Sequence, residues 1–353
     1  MGRSGGGNLG GSPQALCGAG EDRDSFLWDG GGSPWGGDKI WARMYNSGTV
    51  VMQRRTHQVG ESELQRLDRI KKLIVVAMFS DDVLMDRFVL KGGNALDLVH
   101  RVSTRASLDI DLSMEADFEE HEIEAVRERL ERMLIGTFKP EGYAVFDVVL
   151  EERPKTVSVH LAGFWGGYRL EFKLIEVEKL SRCRNDLAEK RRNALQIGGL
   201  GKFQVDISKY EYCGGKRRLD FDGYSIFVYT PEMMVSEKLR AICQQMPAYG
   251  NIVKRGRAGT ARGRDFVDIH GLVTHFRIDM TSESNRTLIS LVFEAKKVPL
   301  GLLGEVGGYR EFHRPDFQVV KDTVKAGVQL REFDFYFDFV VGLCTELETL
   351  WHM

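Results

Sequence analysis

The chain has 353 residues, of which 42% are hydrophobic and 28% charged, and its formal net charge is −2 at pH 7. This composition indicates a globular protein of one or two domains and excludes a polybasic nucleic-acid binder, although it leaves room for a local basic face. The longest apolar runs, such as residues 73–79, are too short to cross a bilayer, and no secretory signal is recognisable. The five cysteines are scattered and form no CxxC pair, so we expect neither disulfides nor a zinc site, and a reducing cytoplasm fits best.

The first 37 residues hold 13 of the chain's 39 glycines. A segment so rich in glycine, with little apolar periodicity, cannot bury enough surface to offset the ordering of its backbone. We therefore predict a disordered Gly-rich segment over residues 1–50. An α/β domain is predicted over 51–230 and a helical domain over 231–353.

From residue 62 onward, hydrophobic periodicity predicts helices that alternate with strands. A helix is predicted over 62–77, followed by a strand over 87–90, a short helix over 94–99, a strand over 108–113 and a helix over 118–138. Strands over 143–150, 156–161 and 168–177 come next, then a charged helix over 180–195 and strands over 203–207 and 224–229. The remainder is predicted to be helical, over 231–245, 264–276, 285–295, 314–327 and 330–350.

Two carboxylates lie two residues apart in the strand predicted over 108–113. Asp109 and Asp111 therefore share one face, while Leu108, Ile110 and Leu112 point into the core. Two adjacent carboxylates repel each other unless a cation lies between them, and Mg²⁺ takes one or two carboxylates together with phosphate oxygens. Taken alone, the triplet more often belongs to a half-exposed strand whose acidic residues face water.

A glycine turn precedes this strand. Gly92 and Gly93 lack a Cβ, so the backbone can approach a ligand closely, and the helix from Asn94 offers free N–H groups to phosphate. A plain strand-to-helix turn needs glycine for its dihedral angles alone. Together with the acidic pair, however, the turn is typical of a nucleotidyltransferase site, in which the loop holds the triphosphate and the carboxylates hold the metal.

The strand predicted over 168–177 has one apolar and one charged face. The charged face carries Arg169, Glu171 and Lys173. Glu171 is either a third metal-facing carboxylate or a member of a cross-strand charge ladder, and the alternation fits both interpretations equally.

Helix signals and charges also mark the C-terminal half. Thr230 and Pro231 open a helix that carries Lys238, and a later helix holds Asp265 and Asp268 three residues apart on one face. Five basic residues crowd the connection between these helices: Lys254, Arg255, Arg257, Arg262 and Arg264. Such a loop can contact a phosphate backbone, but its composition favours a solvated connection.

The segments FVLKGGNAL (88–96) and RASLDIDL (105–112) resemble the AbiEii/AbiGii-type nucleotidyltransferase toxins, whose pattern is LKGGTAL followed by RxSxDIDL. The resemblance continues through EKLR (237–240) and RDFVDI (264–269) and spans about residues 87–271. It implies an α+β fold, in which a DNA-polymerase-β-like mixed sheet with flanking helices is followed by a mostly helical part. Such proteins act as toxins of bacterial toxin–antitoxin and phage-defence pairs, and some add nucleotides to tRNA 3′ ends.

The resemblance also implies roles for individual residues. Asp109 and Asp111 would bind Mg²⁺, Lys238 would contact phosphate, and Asp265 would assist catalysis or position the attacking hydroxyl. The triphosphate pocket would be lined by Lys91, Gly92, Gly93, Asn94 and Ser107. Asn94 stands where the family usually has Thr, which removes one hydroxyl but keeps a polar side chain.

We therefore expect a cytoplasmic, Mg²⁺-dependent nucleotidyltransferase that takes an NTP and modifies tRNA or another RNA, as the toxin paired with an antitoxin protein. One alternative is a transferase that modifies a protein hydroxyl. Another is a catalytically silent relative that binds a nucleotide or a partner protein. A silent relative is expected to lose one of its site residues, but Asp109, Asp111, Lys238 and Asp265 are all present.

Overall fold

The computed structural model describes residues 61–100, 109–183, 186–197, 199, 201–324 and 329–352. The Gly-rich segment predicted over 1–50 lies outside the described residues, and so does Ser107. The segment Val59–Met353 forms one compact unit, as its internal contacts show. The predicted boundary between residues 230 and 231 coincides with the start of a helix and stays a prediction.

A seven-stranded mixed sheet forms the centre of this unit. Its strands are β1 (Val89–Lys91), β2 (Ile110–Ser113), β3 (Tyr143–Arg153), β4 (Gly167–Glu176), β5 (Phe203–Ser208), β6 (Arg217–Phe221) and β7 (Tyr224–Val228). They lie in the order β3-β4-β5-β2-β1-β7-β6. Strand β2 pairs antiparallel with β1 and parallel with β5, while β3–β4 and β6–β7 form the antiparallel outer pairs. The shortest strands, β1 and β2, are therefore central.

Helices surround the sheet and make up the C-terminal part. The described α-helices are α1 (Glu63–Phe79), α2 (Gly92–Asn94), α3 (Ile123–Phe138), α4 (Val177–Leu180), α5 (Leu187–Arg192), α6 (Pro231–Cys243), α7 (Pro247–Ile252), α8 (Gly263–Phe276), α9 (Glu283–Glu294), α10 (Arg310–His313), α11 (Phe317–Thr323) and α12 (Phe333–Glu346). From Pro231 onward the described elements are helices, as predicted. In the described part of the chain, no helix is long and apolar enough to cross a membrane.

Helix α1 begins where the sequence predicts it. Ser62 accepts a hydrogen bond from the Gln65 backbone, and the Gln65 side chain returns one to the Ser62 backbone, which completes a capping box. The apolar stripe of α1, including Leu67, Ile70 and Ile74, is buried and α1 packs against α3. These two helices provide the apolar layer of the N-terminal half.

Two predicted elements differ from the structure, and one strand was not predicted. The strand predicted over 156–161 is wrong, because β3 and β4 pair directly and leave this segment as a loop in which Val159 is 92% exposed. The helix predicted over 180–195 is shorter, since Asp186 caps a new helix that spans only Leu187–Arg192. Strand β6 was missed because three of its five residues are charged and exposed, and it pairs only with β7.

Candidate active site

A cavity of about 410 Å³ lies between the sheet and α6. Its helical side is one face of α6, since its lining residues follow the spacing i, i+3, i+4 and i+7: Glu237, Arg240, Ala241 and Gln244. Its sheet side includes Lys91, Asp111, Asp206 and Ser208. The strands also contribute Arg153, Gly167, Tyr168 and Ile207, and the remaining lining comes from Trp165, Gly166, Glu211, Arg262 and Lys296.

Two carboxylates meet in this cavity. Asp111 on β2 is the register partner of Asp206 on β5, so the two side chains lie side by side on one face of the sheet. Burial raises the pKa of Asp111 to about 7, and the charges of Glu237 and Asp206 add to this effect against that of Lys91. Burial therefore disfavours the charged form of Asp111 in the apo site, and a cation bound beside it would stabilise that form.

Asp109 lies just outside this pair. It precedes β2, its side chain is exposed, and its backbone carbonyl accepts a hydrogen bond from the Asn94 amide. Asn94 itself is fully buried, and its Oδ1 atom has no hydrogen-bond partner among the described residues. Asn94 thus fixes the backbone where the acidic strand begins.

The glycine turn brings its backbone against Asp111. Gly92 has a φ of 70°, and a Cβ at this position would lie 2.4 Å from Asp111 Oδ2. The preceding residue, Lys91, is the register partner of Asp111. The sequence predicted that glycine is needed where the backbone approaches another group closely. In the structure, the group that lies against the Gly92 backbone is the Asp111 carboxylate.

A network of buried ion pairs lines part of the cavity. Lys91 Nζ lies 2.8 Å from Glu237 Oε1 and 3.5 Å from Glu211 Oε1. Arg240 and Lys296 also contact Glu211, at 3.1 and 3.5 Å. Burial alone would raise the pKa of Glu211, but the Arg240 and Lys91 charges outweigh it and lower the pKa to about 2. Lys91, predicted to line the triphosphate pocket, therefore lines the cavity while paired with two carboxylates.

Glu171, predicted as the third metal-facing carboxylate, lies elsewhere on the sheet. It pairs in register with Gln204 on β5 rather than with β2, and its Oε1 atom lies 2.8 Å from Lys202 Nζ. Arg169 on the same strand pairs with Asp206 at 2.8 Å, so the charge-ladder interpretation describes this face. Asp206, and not Glu171, is the carboxylate that lies beside Asp111 in the cavity.

Asp206 carried a signal in the sequence that our interpretation did not use. It lies between the buried residues Val205 and Ile207 in a correctly predicted strand, the same apolar–acidic–apolar pattern that drew attention to Asp111. Periodicity does not say that β5 lies beside β2, so only the sheet order reveals the pair.

Lys238 and Asp265, the two C-terminal residues of the predicted site, pair with each other. Lys238 Nζ lies 3.0 Å from Asp265 Oδ1 and 2.7 Å from Asp268 Oδ2, and all three side chains are buried. Neither Lys238 nor Asp265 lines the cavity. Arg262, which does line it, donates its Nε–H to Asp265.

The basic loop between α6 and α8 is largely engaged within the protein. Arg255 donates to the backbone carbonyls of Gln244 and Gln245, and Arg264 pairs with Asp316 at 3.2 Å. Lys254 and Arg257 are exposed, which fits the predicted solvated connection. The loop is therefore not a continuous basic surface.

Comparison with known proteins decides the family. The sequence model described as nucleotidyl transferase AbiEii toxin, type IV TA system, matches residues 73–338. The chain belongs to this AbiEii family. The predicted family and α+β class are thereby confirmed, and the protein is a nucleotidyltransferase.

Two solved structures are similar to this AbiEii-family chain. JHP933 from Helicobacter pylori is 15% identical, with a TM-score of 0.42, over 83% of this chain and 94% of that one. An antigenic nucleotidyltransferase-like protein from Paracoccidioides brasiliensis is 14% identical, with a TM-score of 0.28, over 65% of this chain and 93% of that one. A search of curated protein sequences gave no match.

Proposed function

We propose that this AbiEii-family protein transfers a nucleoside monophosphate from an NTP to an RNA acceptor, such as a tRNA 3′ end, with the help of Mg²⁺. In this reaction an acceptor hydroxyl attacks the α-phosphorus, the bond to the pyrophosphate oxygen breaks, and the nucleotide becomes joined to the acceptor. The observation that carries the proposal is the Asp111–Asp206 pair in a cavity that is also lined by five cationic side chains, with Asp111 lying against the Gly92 turn.

The donor set fits magnesium. Among the described residues, no group of three His, Cys, Asp or Glu side chains is arranged to hold a metal ion. Mg²⁺ does not require one, because it is commonly bound through one or two carboxylates plus substrate phosphates and water. Asp111 and Asp206 would hold the ion, with Asp109 two residues before Asp111, and the bound ion would stabilise the charge that develops on the phosphate oxygens.

The protein's own residues supply the positioning. Asp111 is held between the Lys91 register partner and the Gly92 backbone, which restricts where its carboxylate can lie. Asn94 fixes the chain at Asp109 from the other side. A site whose groups are held in place before the substrate arrives needs little reorganisation during the reaction.

The RNA acceptor and the toxin role rest on the family. An antitoxin partner is proposed because the matching family is described as part of type IV toxin–antitoxin systems. The cytoplasmic location remains a prediction from the sequence. A protein hydroxyl, the alternative acceptor, is an outcome of the experiment below.

The experiment incubates the purified full chain with Mg²⁺, each of the four labelled NTPs in turn, and total tRNA. Asp111→Asn and Asp206→Asn should each lower the labelling rate roughly a thousandfold, because the site loses metal binding worth several kcal/mol. Neither variant should unfold, since each removes one of two adjacent like charges. Glu171→Gln, on the same face of the sheet but paired with Lys202, is the matched control and should label as the wild type does.

Three results would change the proposal. Full labelling by Asp111→Asn would remove the metal assignment. Label that appears on protein rather than RNA would keep the site and make the protein hydroxyl the acceptor. Binding of NTPs without transfer to either acceptor would identify a silent relative.

A further inference from the structure

The cations that line the cavity differ in whether a substrate can reach them. Lys91, Arg240 and Lys296 are buried and share the carboxylates of Glu211 and Glu237. Their positive charge is mostly neutralised by these carboxylates. Moving any of the three cations toward a ligand would leave a carboxylate buried and unpaired. They line the cavity as members of internal ion pairs, so they do not offer a free positive group to a substrate.

Two other cations of the lining remain accessible, Arg153 and Arg262. The Arg153 side chain is 45% exposed and pairs with Glu151 two residues away on the same strand, which is a weak surface contact. The Arg262 side chain is 35% exposed, and its carboxylate partner, Asp265, is buried. The two residues therefore differ in how firmly the protein holds them.

Arg262 is anchored at three points. Its backbone N–H donates to His313 Nδ1 at 3.0 Å, and its Nε–H donates to Asp265. The next residue, Gly263, packs so closely that a Cβ there would lie 2.7 Å from the Phe317 nitrogen. Among the described residues the guanidinium makes its hydrogen bond through Nε, so the Nη groups are left to face a ligand. An arginine fixed in this way loses little conformational entropy when it binds phosphate.

We infer that Arg262 binds the terminal phosphates of the NTP, and that Asp265 and Lys238 are positioning residues that act through it. This inference rests on the proposed function, since it requires an NTP in the cavity. The α-phosphate must lie at the Asp111–Asp206 pair, where transfer occurs. The terminal phosphates carry most of the remaining negative charge, and Arg262 is the anchored, accessible cation of the described lining.

The chain of contacts explains why two motif residues lie off the cavity. Lys238 forms ion pairs with both Asp265 and Asp268, and Asp265 in turn orients the Arg262 guanidinium. Burial alone would raise the pKa of Asp265, but Arg262 and Lys238 hold it well below its usual range, so the carboxylate stays charged. An ionised acceptor beneath Nε keeps the guanidinium plane fixed.

The test measures nucleotide affinity without an acceptor. The full chain is titrated calorimetrically, in Mg²⁺, with the tightest-binding NTP and with the corresponding di- and monophosphates. Arg262→Ala should weaken NTP and diphosphate binding about ten- to hundredfold, the value of one or two charged hydrogen bonds, and leave monophosphate binding unchanged. Arg262→Lys should retain more NTP affinity than the uncharged Arg262→Gln.

Arg264→Ala is the matched control. Arg264 lies two residues away and pairs with Asp316 outside the cavity, so its removal should change none of the three affinities. Adding Asp265→Asn to Arg262→Ala should weaken NTP binding no further, because a residue that acts through Arg262 has nothing left to position.

The outcomes are distinct. Equal NTP affinity in wild type and Arg262→Ala, or an equal loss for the monophosphate, would overturn the assignment of Arg262. Additive losses in the double variant would overturn the positioning role of Asp265. A wild type that binds no NTP would overturn the proposed function itself.

Discussion

At Gly92 the backbone adopts a φ of 70°, and there is no room for a methyl group beside Asp111 Oδ2. Gly92→Ala should cost about 1–2 kcal/mol of backbone strain and displace the Asp111 carboxylate. A displacement of about 1 Å can lower a rate roughly a hundredfold, so we expect at least that loss of transfer. The labelling assay and urea unfolding measure the two effects.

Gly142→Ala separates strain from the effect on the site. Gly142 has a φ of 83°, but a Cβ there would meet nothing within 4 Å. This variant should lose a similar amount of stability with unchanged transfer. If both glycine variants keep full activity, the close approach at Gly92 does not matter to the reaction.

Lys238 gives a second prediction for a single residue. Its removal leaves Asp265 and Asp268 buried without their shared cation, which should lower the free energy of unfolding by about 3–5 kcal/mol in Lys238→Ala. Lys254→Ala, at an exposed lysine, should change it by less than about 0.5 kcal/mol. Denaturant unfolding of both variants measures the two changes in the free energy of unfolding. Equal midpoints would show that the buried ion cluster does not stabilise the fold.

At the level of elements, the sequence predicts what local patterns determine. Helix α1 and strand β2 were predicted because helical periodicity or strict alternation of apolar residues is visible in consecutive residues. Strand β6 carries only one short alternation, Leu219-Asp220-Phe221, and its charged residues are exposed at the sheet edge. The apolar residues of segment 156–161 misled because alternation does not show whether a neighbouring strand is available.

The residues of the candidate site also fall into two groups, those visible in a local pattern and those whose partners depend on the fold. Asp111 and Gly92 were found because their chemistry is visible within a few residues. Asp206 was not, because its partnership with Asp111 depends on β5 pairing with β2 across about ninety residues of chain. The Lys238 motif suggested a phosphate contact, whereas its buried partners lie 27 and 30 residues further along the chain.

At the level of the whole molecule, His313 connects the C-terminal helices to the edge of the cavity. Its side chain is fully buried, Nδ1 accepts from the Arg262 backbone, and Nε2 has no partner in the described part of the chain. Burial lowers the pKa of His313 to about 4, with Arg262 acting in the same direction and Asp265 and Asp316 against it. The folded protein therefore holds this histidine neutral.

The stabilisation that the neutral His313 contributes should consequently decrease on acidification. Between pH 6.5 and 4 the unfolded chain binds a proton at His313 that the folded protein does not, so the free energy of unfolding decreases as the pH falls through this window. The slope is about 1.4 kcal/mol per pH unit, and the total is about 3 kcal/mol. The pKa of Asp111, raised to about 7, contributes with the opposite sign in the same range. The contribution of His313 must therefore be measured as the difference in the free energy of unfolding between the wild type and a variant that lacks this histidine.

His313→Asn isolates that difference. The asparagine carbonyl can accept the Arg262 N–H in place of Nδ1 but does not titrate, and Asp111 is the same in both proteins. Urea unfolding at pH 7, 6, 5 and 4.5 should show the wild type losing about 1.4 kcal/mol per pH unit relative to the variant below pH 6. The lowered pKa values of Glu211 and Asp265 do not disturb the comparison, since they act mainly below pH 4.5. Parallel pH profiles would mean that His313 is protonated in the folded protein without cost, which its burial contradicts.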